Sequence, residues 1–212
     1  MPVIVSFVSQ KGGVGKSTLA RALLAVAGYV MKTRLADLDP QQGSVVAWEQ
    51  ARRRHGSGAD CEVVACATAG EALAAVADVD LLIIDAPART SRATLEIARH
   101  SHLVVQPTGA SADDLRPAIL TFHELVKEGI PKDRLVMAIC RVLTSGEEAV
   151  ARGVDRLGKL EALQVAFRHM ADLAGEDFAL GPGLGDGIGT LAAGQVIFHQ
   201  AGKGFGDGQP AD

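Results

Sequence analysis

A doubly wound α/β fold, with a mostly parallel sheet and helices on both faces, is what this sequence predicts. Three observations predict it. Short β-branched apolar runs alternate with helix-length amphipathic segments, the pattern of βαβ units. The chain is 48% apolar but only 4% aromatic, so its core is Val, Leu, Ile and Ala, as in strands buried on both faces. A glycine-rich turn, "KGGVGKST" at 11–18, joins the first strand-like run to the first helical pattern.

Residues 3–8 read as a buried strand that stops at Ser9-Gln10. From Lys16 the pattern turns helical, with Leu19, Leu23 and Val26 on one face, and Gly28 breaks or caps it. "TRLADLD" (33–39) is a second strand, closed by Asp39-Pro40 because the residue before a proline leaves the helical region. "SVVAWEQARRR" predicts a helix, "CEVVACA" a strand and "AGEALAAVA" a helix. "VDLLIIDAPA" (79–88) is the plainest strand, four apolar residues between two aspartates. "HLVVQPT" predicts another strand, "ADDLRPAILTFHELVKEG" a helix, "DRLVMAICRV" a strand and "EEAVARGVDRLGKLEAL" a helix.

The rhythm then fails. After about Leu163 glycine becomes dense, as in "GPGLGDGIGTLAAGQ". The sequence therefore divides into a nucleotide-loop domain over residues 1–163 and an atypical Gly-rich segment over 164–212. That segment is expected to be loosely ordered, because glycine orders at high entropic cost. A change of reading frame near residue 158 would also produce so abrupt a shift in composition.

At 212 residues the chain is long enough for one well-buried core. A net charge of −4 argues against coating nucleic acid through bulk charge, while leaving a local basic patch open. Cys61, Cys66 and Cys140 form no C-x-x-C pair and read as small buried hydrophobes. The N-terminal run is too short for a signal peptide, and no apolar run reaches the roughly 18 residues of a membrane span. These features suggest a cytoplasmic protein. His55, His100, His102, His123, His169 and His199 show no zinc-site spacing.

The loop carries the chemistry. Small residues let successive backbone N–H groups converge on anionic oxygens, and a helix N-terminus behind them favours negative charge. Gly12, Gly13 and Gly15 meet the first need and the helix opening at Lys16 the second. Lys16 is placed to reach the β- and γ-phosphates and the Ser17 hydroxyl to ligate Mg²⁺. Gln10 stands where the common loop has its first glycine, and Lys11 is an extra lysine. Acids for the metal belong at the ends of neighbouring strands. Asp85 ends one strand in the manner of a Walker B carboxylate, and alternation puts Asp37 and Asp39 on one face of another. Aspartates there also serve as helix caps; the four features in order favour a nucleotide site.

"KGGVGKST", "ADLDPQQG" and "DLLIIDAPA" together resemble the deviant Walker A ATPases of the ParA/MinD class, most closely the small partition ParA proteins. The resemblance runs from residue 1 to about 158. It implies an ATP-dependent molecular switch that hydrolyses ATP to ADP and phosphate, with ATP and Mg²⁺ as cofactors. Lys11 matches the signature lysine, which reaches the phosphates bound by the partner in a nucleotide-sandwiched homodimer. Asp39 matches the aspartate that orients the attacking water. The implied catalytic set is Lys11, Lys16 and Asp39, and the implied metal set Ser17, Asp37, Asp39 and Asp85. Nucleotide is held by Lys11, Gly12, Gly13, Val14, Gly15, Lys16, Ser17, Thr18 and Arg141. "QPTGAS" (106–111) looks like the family's loop near nucleotide and dimer interface, or simply a turn.

Two departures stand out. Cys140-Arg141 replaces the Asn-Arg pair that the family places near the adenine, so ATP over GTP is implied by the resemblance alone. The sequence after residue 163 does not resemble the family's last strand, proline loop and helix. The resemblance further implies a ParB-like centromere-binding adaptor, non-specific DNA binding by the dimer, and nucleoid association with it. The one basic cluster is "RRRH" (52–55), a pattern that more commonly means a solvated helix face than a DNA contact. A MinD-like membrane ATPase would need a basic amphipathic C-terminal helix, and "TLAAGQVIFHQAGKGF" is Gly-interrupted and barely basic. An iron–sulfur reductase would need spaced cysteines that are missing here. An inactive nucleotide-binding scaffold is the fourth reading.

Overall fold

Apolar runs short enough for strands and separated by crossover-length segments pack as parallel strands, because a βαβ connection returns the chain to the same sheet edge. The computed structural model describes residues 1–39, 44–54, 61–88, 92–142 and 195–200 of this chain. The strands are β1 (Val3–Ser9), β2 (Thr33–Asp37), β3 (Cys61–Ala65), β4 (Leu81–Ala88), β5 (Leu103–Thr108), β6 (Leu135–Val142) and β7 (Gln195–Gln200). The helices are α1 (Lys16–Ala27), α2 (Ser44–Arg54), α3 (Ala69–Ala74), α4 (Arg92–His100) and α5 (Ala112–Lys127).

The sheet order is β3-β2-β4-β1-β5-β6-β7. From β1 the chain moves to one side for β2 and β3, returns to insert β4 beside β1, then crosses to β5 on the other side. That reversal beside β1 is a topological switch point, and the strand ends there frame a crevice. Alternate residues of each strand feed two separate cores. Val5, Phe7, Leu35, Leu81 and Ile83 pack with Leu19, Ala20, Leu24 and Ala27 of α1 and Val45 of α2. Leu82, Ile84, Val104 and Met137 pack with Ala72 of α3, Ile97 of α4 and Phe122 and Leu125 of α5. A core of aliphatic side chains covered on both faces follows from the composition.

Four elements differ from expectation. On α1 the buried face is Leu19, Ala20, Leu24 and Ala27, with Leu23 and Val26 only partly buried at its margin. Small alanines let the helix sit close to the sheet, so the buried stripe is rotated from the one that large residues alone mark. The second strand stops at Asp37, two residues short of Asp39, because the Asp37 carboxylate accepts the Asp39 N–H at 2.9 Å and turns the chain. Helix α4 has no counterpart in the sequence reading; its buried residues are Thr94, Ile97 and Ala98, too few large apolar groups to mark a stripe. Strand β7 pairs antiparallel with β6 inside the segment expected to be loosely ordered. Its "QVIFHQ" carries β-branched and aromatic residues suited to a sheet edge, a signal hidden by flanking glycines. The helix expected at 147–163, and the rest of 164–212, lie outside the described residues.

Candidate functional site

Strand β1 delivers the glycine-rich loop to the crevice, and Ser9 shapes its entry. The Ser9 hydroxyl donates to the Lys11 carbonyl and accepts the Lys11 N–H at 3.1 Å, fixing the turn through Gln10. Gly13 and Gly15 have φ of 72° and 106°, left-handed values that favour glycine. Gly15 is the N-cap of α1, and no side chain caps the helix there. By contrast Thr68 caps α3 and Ser111 caps α5. The first amides of α1 are thus left without a side-chain acceptor, beside the positive end of the helix dipole. A Cβ built on Gly12 or Gly13 would meet no protein atom within 4 Å, whereas one on Gly15 would lie 3.5 Å from the Cys140 Sγ. The upper loop therefore faces open space, and its lower edge rests on β6. Val14 is buried beneath it, and Thr18 is exposed.

The carboxylates converge on the same end of the sheet. Asp37 and Asp85 are register partners on adjacent parallel strands β2 and β4, and both belong to the face that α1 covers. Each is 2% exposed. Ser17, in the first turn of α1, donates its hydroxyl to Asp85. Burial raises the Asp85 pKa to about 6, against the lowering influence of Ser17 and of the nearby Lys16 charge. Burial also raises the Asp37 pKa, opposed by the Asp39 N–H, with the Asp39 charge adding to the rise. One oxygen of each carboxylate, Asp37 Oδ2 and Asp85 Oδ1, is buried without a hydrogen-bond partner.

Two buried, unpaired carboxylate oxygens beside a serine hydroxyl make an oxygen-only donor set, which suits a hard cation. Among the described residues no group of three or more His, Cys, Asp or Glu is arranged to hold a metal alone. That combination fits Mg²⁺ in particular, which binds through one or two carboxylates and completes its shell with waters and substrate phosphates. Asp39 lies just beyond β2, half-buried, and Lys16 is buried at the loop's base.

The structure also locates the residues around this centre. Lys11 is about half exposed and forms an ion pair with Asp114 of α5. The 106–111 segment leads from β5 into α5, whose Asp114 meets Lys11 of the loop. Cys140 packs under Gly15 as structural support, a role that spacing alone does not signal. Arg141 occupies a position on β6, and its side chain is outside the described residues, as are Pro40 and Gln41. In the basic cluster, Arg52 and Arg53 both donate to Glu49, at 2.7 Å for each Nε contact, and Arg52 also lies over the Trp48 ring. Arg54 is exposed and His55 is outside the described residues. Cys61, Cys66 and Cys140 are buried and form no disulfide. No helix among the described residues is long and apolar enough to cross a membrane.

Comparison with known proteins identifies the fold and the family. The chain is 29% identical over 168 residues to the maintenance of carboxysome distribution protein A of Gloeobacter kilaueensis, covering 79% of this chain and 77% of that protein. Its fold is similar to a plasmid partition protein of Borrelia burgdorferi solved with AMPPNP, with TM-score 0.58, 16% identity, and 73% and 83% of the two chains covered. It is also similar to cobyrinic acid a,c-diamide synthase of Mycobacterium smegmatis solved with ADP and magnesium, with TM-score 0.53, 19% identity, and 75% and 83% covered. Residues 5–175 match the CobQ/CobB/MinD/ParA nucleotide binding domain, and the chain belongs to that family.

Proposed function

We propose that this chain is an ATP-hydrolysing molecular switch of the ParA type, whose nucleotide-bound form is a dimer that binds DNA without sequence preference. The observation that carries this reading is the pair of unpartnered buried oxygens on Asp37 and Asp85, set beside the uncapped start of α1. A triphosphate on the Gly12–Ser17 amides, with Lys16 on its β- and γ-oxygens, places its metal-binding side toward these carboxylates. Ser17, Asp37 and Asp85 would hold Mg²⁺, with Asp39 at its margin. When bound, Mg²⁺ would supply positive charge that balances the phosphate oxygens and the charge building up on them.

Hydrolysis is attack of water on the γ-phosphorus, with the new P–O bond forming as the bond to the β–γ bridging oxygen breaks and ADP departs. Asp39 orients the water, and Lys16 and the partner's copy of the Lys11 charge stabilise the transferring phosphoryl group. ATP rather than GTP, base contact by Arg141, and stimulation by a ParB-like adaptor belong to this reading through the family resemblance. DNA contact rests on the exposed Arg53 and Arg54 at the end of α2. The strand at 195–200 occupies sequence that a membrane-binding amphipathic helix would need, which favours DNA over a membrane as the surface.

The test is ATP hydrolysis with and without DNA in wild type, Lys16→Ala and Asp39→Ala. Lys16→Ala loses nucleotide binding; Asp39→Ala retains ATP and loses turnover. Equal turnover in all three overturns the proposal. The match to a carboxysome-distribution protein favours a second reading of the cargo, in which the same switch distributes a body other than a replicon.

A further inference from the structure

We infer that Asp114 is an intramolecular latch that holds Lys11 in its own subunit until a nucleotide-loaded partner draws it away. This rests on the sandwich-dimer reading above, in which Lys11 acts on the partner's phosphates. The Lys11 ammonium is paired with Asp114 Oδ1, 103 positions away in sequence. The carboxylate is itself held in place: the Ser111 hydroxyl donates to Asp114 Oδ2 at 3.0 Å, and the Asp114 N–H donates back to Ser111 Oγ at 3.3 Å. This reciprocal cap fixes the side chain over the first turn of α5. Gly109 makes room for it, since a Cβ there would overlap the Asp114 carboxylate.

Position and charge make the contact a latch. The positive end of the α5 dipole repels an ammonium group, so the carboxylate is what retains Lys11 there. Asp114 has a side chain only 14% exposed while Lys11 remains 52% exposed, so the lysine is the mobile partner. A triphosphate carries several negative charges against one for the carboxylate, so it outcompetes Asp114 when a partner presents it. Pairing within one subunit opposes dimer closure, and ATP-loaded partners reverse that opposition.

The experiment measures dimer dissociation constants by sedimentation equilibrium with Mg²⁺ and a non-hydrolysable ATP analogue, for wild type, Asp114→Asn, Gly109→Ala, Lys11→Met and Lys11→Met/Asp114→Asn. Asparagine preserves the bond with Ser111, and Gly109→Ala displaces the carboxylate by a different route. Two ion pairs, each reached by solvent from the lysine side, are released per dimer, so Asp114→Asn and Gly109→Ala each tighten the dimer about tenfold. In the Lys11→Met background Asp114→Asn has no effect. A wild type that dimerises with analogue, yet is matched or exceeded in dissociation constant by Asp114→Asn, overturns the latch and leaves the switch standing. Tightening that persists without Lys11 also overturns it. Analogue binding with no dimer in any variant overturns both.

Discussion

Asp37 and Asp85 stand opposite each other on adjacent parallel strands, each buried, and each with one carboxylate oxygen lacking a partner. Folding alone gives no reason to place two acids side by side in an aliphatic sheet. Desolvation and mutual repulsion disfavour both ionised forms, and a bound cation reverses that penalty.

This arrangement predicts how stability depends on pH without nucleotide. Burial raises the Asp85 pKa from 3.8 to about 6. Between those values the folded protein binds more protons than the unfolded chain, so stability falls as pH rises through the window and levels off above it. The span corresponds to about 3 kcal/mol. Urea unfolding of Asp85→Asn without Mg²⁺ should give a protein more stable than wild type by about 2 kcal/mol at pH 7.5, with the gap closing towards pH 4. Asp37, also raised, contributes in the same direction. In the proposed site Mg²⁺ would displace the Asp85 proton below pH 6, so nucleotide affinity of the wild type should become more acid-sensitive when measured with Mg²⁺ than without it.

The glycines of the loop separate fold from binding. A Cβ on Gly12 enters open space and requires no left-handed backbone, so Gly12→Ala leaves stability within about 0.5 kcal/mol or raises it slightly. It should reduce nucleotide affinity at least tenfold, by filling the space where the proposed site receives phosphate oxygens. Gly15, at φ 106° and pressed on Cys140, gives the opposite balance. Gly15→Ala costs about 1–2 kcal/mol in backbone strain before any ligand is added. Thermal melts with and without ATP distinguish the two.

Much of this site is legible in the sequence because its parts are local. A strand buried on both faces reads as an apolar run, the loop follows it directly, and acids at strand ends fall where apolar runs stop. What is missed is either small or distant. Helix α4 is anchored by Thr94, Ile97 and Ala98, residues that leave a faint periodicity. Extending the period-two pattern to Asp39 failed because a side chain, Asp37, captured the next backbone amide. The contact between Lys11 and Asp114 joins residues 103 positions apart that meet because β1 pairs with β5, and no spacing rule connects them. Ser9 likewise resembles any strand-end serine until its hydroxyl is seen bridging both backbone groups of Lys11.

The α2 arginines differ in what they support. Glu49 is buried; burial favours its neutral form, but hydrogen bonds from Arg52 and Arg53 outweigh this and lower its pKa below 4.5. Arg52 is mostly buried, sharing Glu49 and the Trp48 ring, while the Arg53 side chain is 62% exposed. Arg52→Ala should cost about 2–3 kcal/mol in urea unfolding, because it strips a buried carboxylate of its principal donor. Arg53→Ala should cost under about 1 kcal/mol. Because the Glu49 pKa is depressed, its contribution is present at neutral pH and is lost as pH falls through the lowered value. Under the proposed DNA binding, Arg53→Ala and Arg54→Ala should each weaken DNA affinity and reduce its salt slope, and Arg52→Ala should leave that slope unchanged.

Strand β7 supplies the last prediction. It pairs antiparallel along β6, with Ala138 opposite Phe198 and Ile139 opposite Ile197. On its other side β6 pairs with β5, so β7 covers what would otherwise be a free edge of apolar strand. An uncovered edge presents unpaired N–H and C=O groups beside Leu135, Val136, Met137 and Ile139, all buried in the intact sheet. Removing residues 190–212 should therefore convert a monodisperse protein into one that self-associates without nucleotide, by edge pairing. Light scattering against concentration measures this. A truncated protein that stays monodisperse at the same concentration would show that β6 needs no covering strand.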